Sequence, residues 1–253
     1  MGRFDDKSIV VTGASSGMGY QIVKDFAAEG GNVIAVARRA KLLEALATEL
    51  ADAPGKVVAF SGDVSKREDC EAMIDRAVEE FGRLDILVNC AGVMDSMSAI
   101  ATATDEKYDY VMGINAYGPF AATRKAVQVF LAQGDGGSIV NISSFGANHK
   151  SAGVIYGMSK AACSLLTEHV AFTYAKDGIR CNAVEPGPIQ TDIGSAMGEP
   201  DMDGYSRIKC INDLIIKWGE PKDISNAVLF LSSDESAFIN GVCLPVDAGW
   251  GAL

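Results

Sequence analysis

Tyr156 and Lys160 stand four residues apart in Tyr156-Gly157-Met158-Ser159-Lys160, a spacing that puts both side chains on one face of a helix. An unperturbed tyrosine titrates near pH ~10, so it exchanges protons at neutral pH only when a nearby cation stabilises the phenolate. A lysine ammonium one helical turn away is such a cation. The pair could therefore perform general acid–base chemistry, although the same spacing is also typical of an ordinary helix surface. The surrounding sequence has to decide between these readings.

Short β-branched segments alternate with longer helical patterns along the chain. Helical patterns cover residues 17–29, closed by Gly30 and Gly31, and residues 156–176, closed by Gly178, and another begins near Pro221. The alternation predicts the α/β class: one doubly wound, Rossmann-like domain with a parallel sheet, helices on both faces, and ligands beyond the carboxyl ends of the strands. The seven predicted strands are residues 8–12, 32–36, 57–60, 84–88, 138–142, 180–184 and 242–246.

Bulk properties limit the class of protein. The length suits a single domain over residues 1–253, and no apolar run approaches the ~18 residues of a membrane span. The first strand begins so early that we expect no signal peptide. The net charge of −11 disfavours nucleic acid and favours a small-molecule substrate. Six cysteines without C-x-x-C spacing indicate reduced, mostly buried thiols and no metal site, and we expect a cytoplasmic protein.

A glycine-rich segment, Thr12-Gly13-Ala14-Ser15-Ser16-Gly17-Met18-Gly19, follows the first predicted strand and leads into a helix. Glycines allow a sharp turn and close approach of the backbone to a pyrophosphate, and a helix N-terminus favours its negative charge. The spacing is G-x-x-x-G-x-G, not the common G-x-G-x-x-G. A purely structural turn is the alternative, but the position between the first strand and the first helix favours cofactor binding.

The end of the second predicted strand, Val36-Ala37-Arg38-Arg39, bears on the choice between NAD and NADP. An acidic residue there would bind the ribose 2′-hydroxyl of NAD. This segment has no carboxylate, and two guanidiniums stand where the 2′-phosphate of NADP would lie, a group that arginine binds with bidentate, charge-assisted hydrogen bonds. The sequence therefore predicts NADP in preference to NAD, with Arg38 the stronger candidate, although surface arginines are common.

Further motifs follow the other strands in order. These motifs are Asp63-Val64, Asn89-Cys90-Ala91-Gly92, Asn115, Ser144, Pro186-Gly187 with Thr191, and Val246-Asp247-Ala248-Gly249. Together with the glycine turn and Tyr156-x-x-x-Lys160, they resemble the short-chain dehydrogenase/reductase family over essentially the whole chain. The resemblance implies an enzyme, an NAD(P)-dependent oxidoreductase that interconverts a secondary alcohol and a ketone.

The resemblance implies roles for four catalytic residues. Tyr156 would be the general acid in carbonyl reduction and the general base in alcohol oxidation, while Lys160 would stabilise its phenolate and bind the nicotinamide ribose. Ser144 would orient the substrate oxygen, whereas the adjacent Ser143 would have a purely structural role. Asn115 would belong to a helix that holds a water linking the lysine to solvent. A structural alternative is that its amide satisfies a neighbouring backbone group.

The resemblance also implies a set of cofactor-binding residues. Asp63 and Val64 would contact the adenine, and Asn89 would also stabilise the central strands, while Cys90 replaces a more usual second asparagine. The predicted set is Gly13, Ser15, Ser16, Gly17, Met18, Gly19, Arg38, Arg39, Asp63, Val64, Asn89, Ala91, Gly92, Tyr156, Lys160, Pro186, Gly187, Ile189 and Thr191.

One connection, residues 186–217, looks irregular and is rich in Gly, Pro, Asp and Met. We predict that residues 188–217 form a substrate lid, with a mobile spacer as the alternative. A wide, apolar pocket would suit a bulky ring system such as a steroid or bile acid, and the sequence resembles bacterial hydroxysteroid dehydrogenases of this family. His149 could contact a substrate carboxylate or be an ordinary loop histidine. Expected pocket residues, some equally explained by core packing, are Val93, Met94, Met97, Phe145, Val154, Ile155, Ile189, Ile193 and Met197.

Two other functions share these residues. A 3-oxoacyl-(acyl-carrier-protein) reductase has the same catalytic set. Its acidic partner needs a basic landing surface, which the net charge and Asp177 oppose and Arg124 and Lys125 favour. A non-catalytic NADP-binding sensor is the alternative of another class, opposed by the intact catalytic set. The resemblance further implies a homotetramer, and residues 249–253 look suited to pack against a neighbouring subunit.

Overall fold

Seven parallel strands form one sheet, in agreement with the predicted fold class. The computed structural model describes residues 2–194 and 197–252, so Ser195 and Ala196 of the predicted lid and Leu253 lie outside the described residues. The strands are β1 (Ser8–Thr12), β2 (Asn32–Ala37), β3 (Val57–Ser61), β4 (Ile86–Asn89), β5 (Gly137–Ile142), β6 (Ile179–Pro186) and β7 (Cys243–Val246). Their order is β3-β2-β1-β4-β5-β6-β7. The direction of winding reverses between β1 and β4, where doubly wound sheets bind their ligands.

Helices cover both faces of the sheet. Ile9 and Val11 of β1 pack in a core with residues of α1 and α8, whereas Val10 packs on the opposite face with α3 and α5. Strands buried on both faces have continuous apolar sequences, so they are easily recognised in the sequence. No helix in the described ranges is long and apolar enough to cross a membrane. The helices are α1 (Gly17–Ala28), α2 (Ala40–Glu49), α3 (Arg67–Phe81), α4 (Asp105–Met112), α5 (Gly118–Gln133), α6 (Val154–Thr173), α7 (Met202–Asn212) and α8 (Pro221–Ser232).

Several predicted boundaries are displaced, each by one to three residues. The strand predicted from residue 84 begins at Ile86, because the Gln133 side chain takes both backbone groups of Leu84, donating to its carbonyl and accepting from its N–H at 2.8 Å each. The helix predicted over residues 156–176 is α6, which begins earlier and ends at Thr173. A short 3-10 turn then leads to Gly178, whose φ of 72° closes the segment.

The connection predicted to be irregular contains a helix, and that part of the prediction was wrong. Asp201 precedes α7 and its carboxylate accepts hydrogen bonds from the N–H groups of Asp203 and Gly204, which satisfies amides that a helix start leaves unpaired. Gly204 is required inside this helix, because a Cβ there would lie 2.1 Å from the Met97 carbonyl oxygen. The lid segment therefore packs closely on the loop that follows β4.

Candidate active site

The predicted acid–base pair lies on α6 with both side chains buried. Tyr156 is 8% exposed and Lys160 is 4% exposed. The Lys160 ammonium lies 5.7 Å from the centroid of the Tyr156 ring and donates a 2.8 Å hydrogen bond to the Ile142 carbonyl at the end of β5. A buried cation interacts strongly with an anion that forms beside it, because the local dielectric is low. The geometry thus suits stabilisation of a phenolate on Tyr156.

The two serines at the end of β5 have different surroundings. The Ser143 hydroxyl is buried, donates to the Lys160 carbonyl at 2.9 Å and pairs with the Ser164 hydroxyl at 2.8 Å. Ser144 is half-buried, and its Oγ accepts a 3.1 Å hydrogen bond from the Gly146 N–H. An accepting hydroxyl keeps its own hydrogen for another partner. Ser143 therefore supports α6, whereas Ser144 can donate to a substrate oxygen.

Asn115 lies in a π-helical segment, Gly113–Tyr117, between α4 and α5. Its side chain accepts from the Val93 N–H at 2.9 Å, donates to the Val93 carbonyl at 2.8 Å, and donates to the Ser159 hydroxyl on α6 at 3.0 Å. The Asn115 side chain thus makes the backbone hydrogen bonds that its structural role would require. The π-helical widening is a feature often found at functional sites. Its role in a water relay stays a prediction.

A cleft of about 350 Å³ crosses the carboxyl ends of β1, β2, β3 and β4. This is the position at which a doubly wound sheet binds a dinucleotide. The predicted cofactor residues that line it are Gly13, Ser15, Ser16, Met18, Gly19, Arg38, Arg39, Asp63, Val64, Ala91 and Gly92.

The glycine turn fits close approach of a phosphate. A Cβ at Gly13, whose φ is 72°, would lie 2.9 Å from the Ala91 backbone, and one at Gly19 would lie 2.3 Å from the Gly13 carbonyl oxygen. Larger residues would therefore force the turn open. The Ser16 side chain does not cap α1, so the first amides of that helix can receive an anion. The residues present therefore fit a dinucleotide cofactor.

The two arginines at the end of β2 line the cleft in different ways. The Arg39 guanidinium donates to the Ser15 hydroxyl at 3.1 and 2.8 Å and to the Ser16 hydroxyl at 2.7 Å. Arg38 lies near Asp63 instead. Burial opposes ionisation of Asp63, but hydrogen bonds from the N–H and hydroxyl of Ser65, together with the Arg38 charge, lower its pKa. Arg39, the weaker candidate of the two in the sequence analysis, is thus the arginine that is hydrogen-bonded to the glycine turn.

Other predicted cofactor residues lie outside the lining of this cleft. Asn89 is buried and donates to Asn141 on β5 at 2.8 Å and to Thr123 on α5 at 3.2 Å, so its side chain joins the central strands as predicted and does not face the cleft. Thr191 packs over Gly17, with its methyl 3.3 Å from where a Cβ would be. The remaining members of this group are Pro186, Gly187, Ile189, Tyr156 and Lys160.

Some residues of the cleft were missed by sequence reasoning. Lys107 and Tyr110 reach it from α4, and Asp192 reaches it from the lid segment. Nothing in a single sequence shows that α4 crosses this edge of the sheet. Cys90 also lines the cleft. Desolvation raises the pKa of its thiol to about 12, so the thiol stays protonated and unreactive. Further lining residues are Val36, Ala37, Gly62 and Ile114, together with Val93, Met94 and Ile193, which the sequence analysis had named as pocket residues.

Phe145, one of the expected pocket residues, is buried. Its ring is stacked between His149, at 4.0 Å, and Trp250, at 3.9 Å, measured between ring centroids. One face of the His149 ring is therefore covered by Phe145. The Trp250 indole N–H also donates to the Ile211 carbonyl of α7 at 3.2 Å. The C-terminal segment expected to pack on a neighbouring subunit thus places its tryptophan within its own chain.

A doubly wound sheet with a dinucleotide cleft beside a buried Tyr–Lys pair and a serine defines a nicotinamide-dependent oxidoreductase. The family model described as Enoyl-(Acyl carrier protein) reductase matches residues 13–251. The chain is 41% identical to 3beta-hydroxysteroid dehydrogenase 2 of Eggerthella lenta, covering 97% of this chain and 95% of that protein. It is 33% identical to the 3-oxoacyl-(acyl-carrier-protein) reductase of Thermotoga maritima, covering 98% of each.

A solved structure agrees with these sequence similarities. Levodione reductase superimposes with a TM-score of 0.89 at 30% identity, covering 98% of this chain and 99% of that chain. The chain therefore belongs to the short-chain dehydrogenase/reductase family, whose members use NAD(P), and it is an oxidoreductase acting on CH–OH groups.

Proposed function

We propose that this enzyme interconverts a hydroxyl and a ketone on a steroid or bile acid, with NADP(H) as its preferred cofactor. The observation that carries the proposal is the buried Tyr156–Lys160 pair, together with Ser144, whose hydroxyl accepts from the Gly146 N–H and keeps its own hydrogen to donate. The similarity to a 3beta-hydroxysteroid dehydrogenase over nearly the whole chain supports the substrate class.

The proposed mechanism assigns one task to each side chain. Ser144 donates a hydrogen bond to the substrate oxygen and orients it. Tyr156 passes its proton to that oxygen in reduction and removes it in oxidation, and the Lys160 ammonium stabilises the phenolate that results. The bound nicotinamide supplies or accepts the hydride. The Lys160 hydrogen bond to Ile142 holds the ammonium at the end of β5, so its orientation is fixed before substrate binds.

NADP preference is proposed from the charge at the adenosine end of the cleft. Arg38 and Arg39 both line it, and Ser15 lies within hydrogen-bond distance of Arg39. Guanidiniums and hydroxyls are the groups that bind a 2′-phosphate, and the lining includes no acidic residue from the end of β2. Asp63 and Val64, which follow β3, would contact the adenine.

Residues 188–217 are proposed as the substrate lid. Asp201 N–H donates to the Ser96 carbonyl at 2.7 Å, and α7 receives the Trp250 hydrogen bond, so this segment touches two sides of the expected pocket. Its apolar residues, among them Ile193, would cover a ring system with few polar anchors.

An NADPH absorbance assay across ketosteroids, oxo-bile acids, acetoacetyl thioesters, sugars and small ketones tests the proposal. We expect the highest kcat/KM with a ketosteroid or oxo-bile acid and at least ~100-fold loss of kcat in Tyr156→Phe, as befits removal of an acid–base group. A preference for thioesters would favour the carrier-protein reductase, which the similarity to the Thermotoga enzyme keeps in the test. Absence of turnover in both wild type and variant would favour a sensor.

We also propose a homotetramer in the cytoplasm. Leu165 and Phe172 lie one above the other on α6 and are 64% and 90% exposed, and Phe120 on α5 is 46% exposed, which is unusual for large apolar side chains on a monomer. Six free cysteines suit a reducing compartment. Light scattering should give four times the chain mass for wild type and a smaller species for Leu165→Asp/Phe172→Asp. A fluorescent fusion checks the compartment.

A further inference from the structure

The segment after β4 carries a buried carboxylate that the mechanism above does not use. Asp95 is 0% exposed. Its Oδ2 accepts hydrogen bonds from the N–H groups of Ile155 at 3.0 Å and Tyr156 at 3.1 Å, at the start of α6. Its Oδ1 accepts from the Met97 N–H at 3.0 Å. A charged group is rarely buried to this degree unless its hydrogen bonds are satisfied, and here three amides satisfy it.

The surroundings of Asp95 are shaped to hold this carboxylate. Gly153 precedes α6, and a Cβ there would lie 2.2 Å from Asp95 Oδ1 and 2.3 Å from Oδ2. Only glycine therefore leaves room for the carboxylate against the helix start. Met97 has a φ of 60°, a backbone conformation that is uncommon for a residue with a side chain, and its amide is one of the three that Asp95 binds.

Tyr156 is fixed through both of its peptide groups. Its N–H donates to Asp95, and its carbonyl accepts a 2.7 Å hydrogen bond from the Ser159 hydroxyl. Ser159 in turn accepts from Asn115, whose side chain binds both backbone groups of Val93. Both connections from the tyrosine therefore return to the same short segment after β4.

We propose that Asp95 is a positioning residue for Tyr156: it sets the start of α6, and with it the place of the phenol relative to Lys160 and Ser144. Asp95 does not line the cofactor cleft. The proposal rests on the assignment of Tyr156 as the proton donor. Misplacement of a reacting group by about 1 Å can cost ~100-fold in rate, so loss of this anchor should appear in kcat.

Three variants test the proposal. Asp95→Ala removes both acceptor oxygens and with them all three hydrogen bonds, Asp95→Asn keeps the size and one acceptor oxygen, and Gly153→Ala displaces the carboxylate without changing Asp95. We expect kcat to fall by roughly 30- to 100-fold in Asp95→Ala and about tenfold in the other two. The dissociation constant for NADPH, measured by fluorescence titration without substrate, should change by less than about threefold, because the cofactor cleft is untouched.

A matched control separates positioning from folding. Asp85 is also a buried carboxylate that binds a backbone amide, accepting from the Ser8 N–H at 2.9 Å, but it lies at the opposite end of β4 from the site. Asp85→Asn should lower the melting temperature and leave kcat per folded molecule unchanged. All assays are run where circular dichroism shows each variant folded. If Asp95→Ala does not fold, the kcat values of Asp95→Asn and Gly153→Ala test the proposal.

The outcomes distinguish this proposal from the proposed function. If kcat of the Asp95 variants stays within threefold of wild type, or falls only together with NADPH affinity, Asp95 is a structural residue and the positioning proposal is refuted. If Tyr156→Phe itself retains activity, the proton-donor assignment fails first. Loss of kcat in Tyr156→Phe, Asp95→Ala and Gly153→Ala, with NADPH affinity intact, supports both.

Discussion

Replacement of Arg39 by alanine should convert the proposed preference for NADPH into near indifference between NADPH and NADH. The guanidinium lies across the glycine turn and already donates to Ser15 and Ser16, so it is oriented before the cofactor arrives. A hydrogen bond to a charged group contributes about 1.5–3 kcal/mol. Since ~1.4 kcal/mol is tenfold in affinity, Arg39→Ala should weaken NADPH binding roughly 10- to 150-fold.

The assay is a fluorescence titration of each variant with NADPH and with NADH at one ionic strength, because exposed charges are screened by salt. Arg38→Ala is the companion variant, and Arg3→Ala, which removes a surface arginine paired with Glu29, is the control. NADH affinity should change by less than about threefold in all of them. Equal weakening of both cofactors in Arg39→Ala would refute the reasoning, since Arg39 would then support the turn rather than bind a phosphate. A larger effect in Arg38→Ala would reassign the phosphate to Arg38.

Three further expectations concern stability and reactivity. Asn115→Ala removes the partners of both Val93 backbone groups and should cost about 2–6 kcal/mol of unfolding free energy in a urea titration, at about 1–3 kcal/mol per unpaired group; a loss below ~1 kcal/mol would contradict this. Maleimide at pH 8 should label exposed Cys210 and spare Cys90. The Cys90 thiol has a pKa of about 12, so it stays protonated until the pH approaches that value. Mass spectrometry of the labelled peptides shows which cysteines have reacted. Trp250→Ala should lower the melting temperature by exposing one face of a stacked ring, while Trp250→Phe should retain most of it.

The sequence predicted the parts of this protein that depend on local patterns. Strands buried on both faces are continuous apolar runs, and the glycine turn needs residues without side chains, so both can be read directly. The lid helix was missed because its start depends on Asp201 as a cap within a segment rich in turn-forming residues. Lys107 and Tyr110 were missed because only the path of α4 across the sheet edge brings them to the cleft.

Phe145 shows why the substrate side was the hardest part to predict. An apolar residue next to the proposed catalytic serine suits pocket lining and core packing equally, and in the structure its ring is stacked between His149 and Trp250. The contact with Trp250 joins segments more than a hundred residues apart in the chain. Neither periodicity nor residue type carries information about such pairings, and the pattern of polar and apolar residues fits both arrangements.

The contacts of the proposed lid segment connect it to the segments that carry the proposed catalytic residues. Through Trp250, helix α7 is joined to Phe145, the neighbour of Ser144, and through Asp201 it is joined to Ser96, the neighbour of Asp95. A substrate that displaces α7 would therefore act on the serine loop and on the segment that anchors Tyr156. Because packed elements shift together rather than deform locally, we expect substitutions in α7 that fit the pocket to another ring system to change kcat as well as KM.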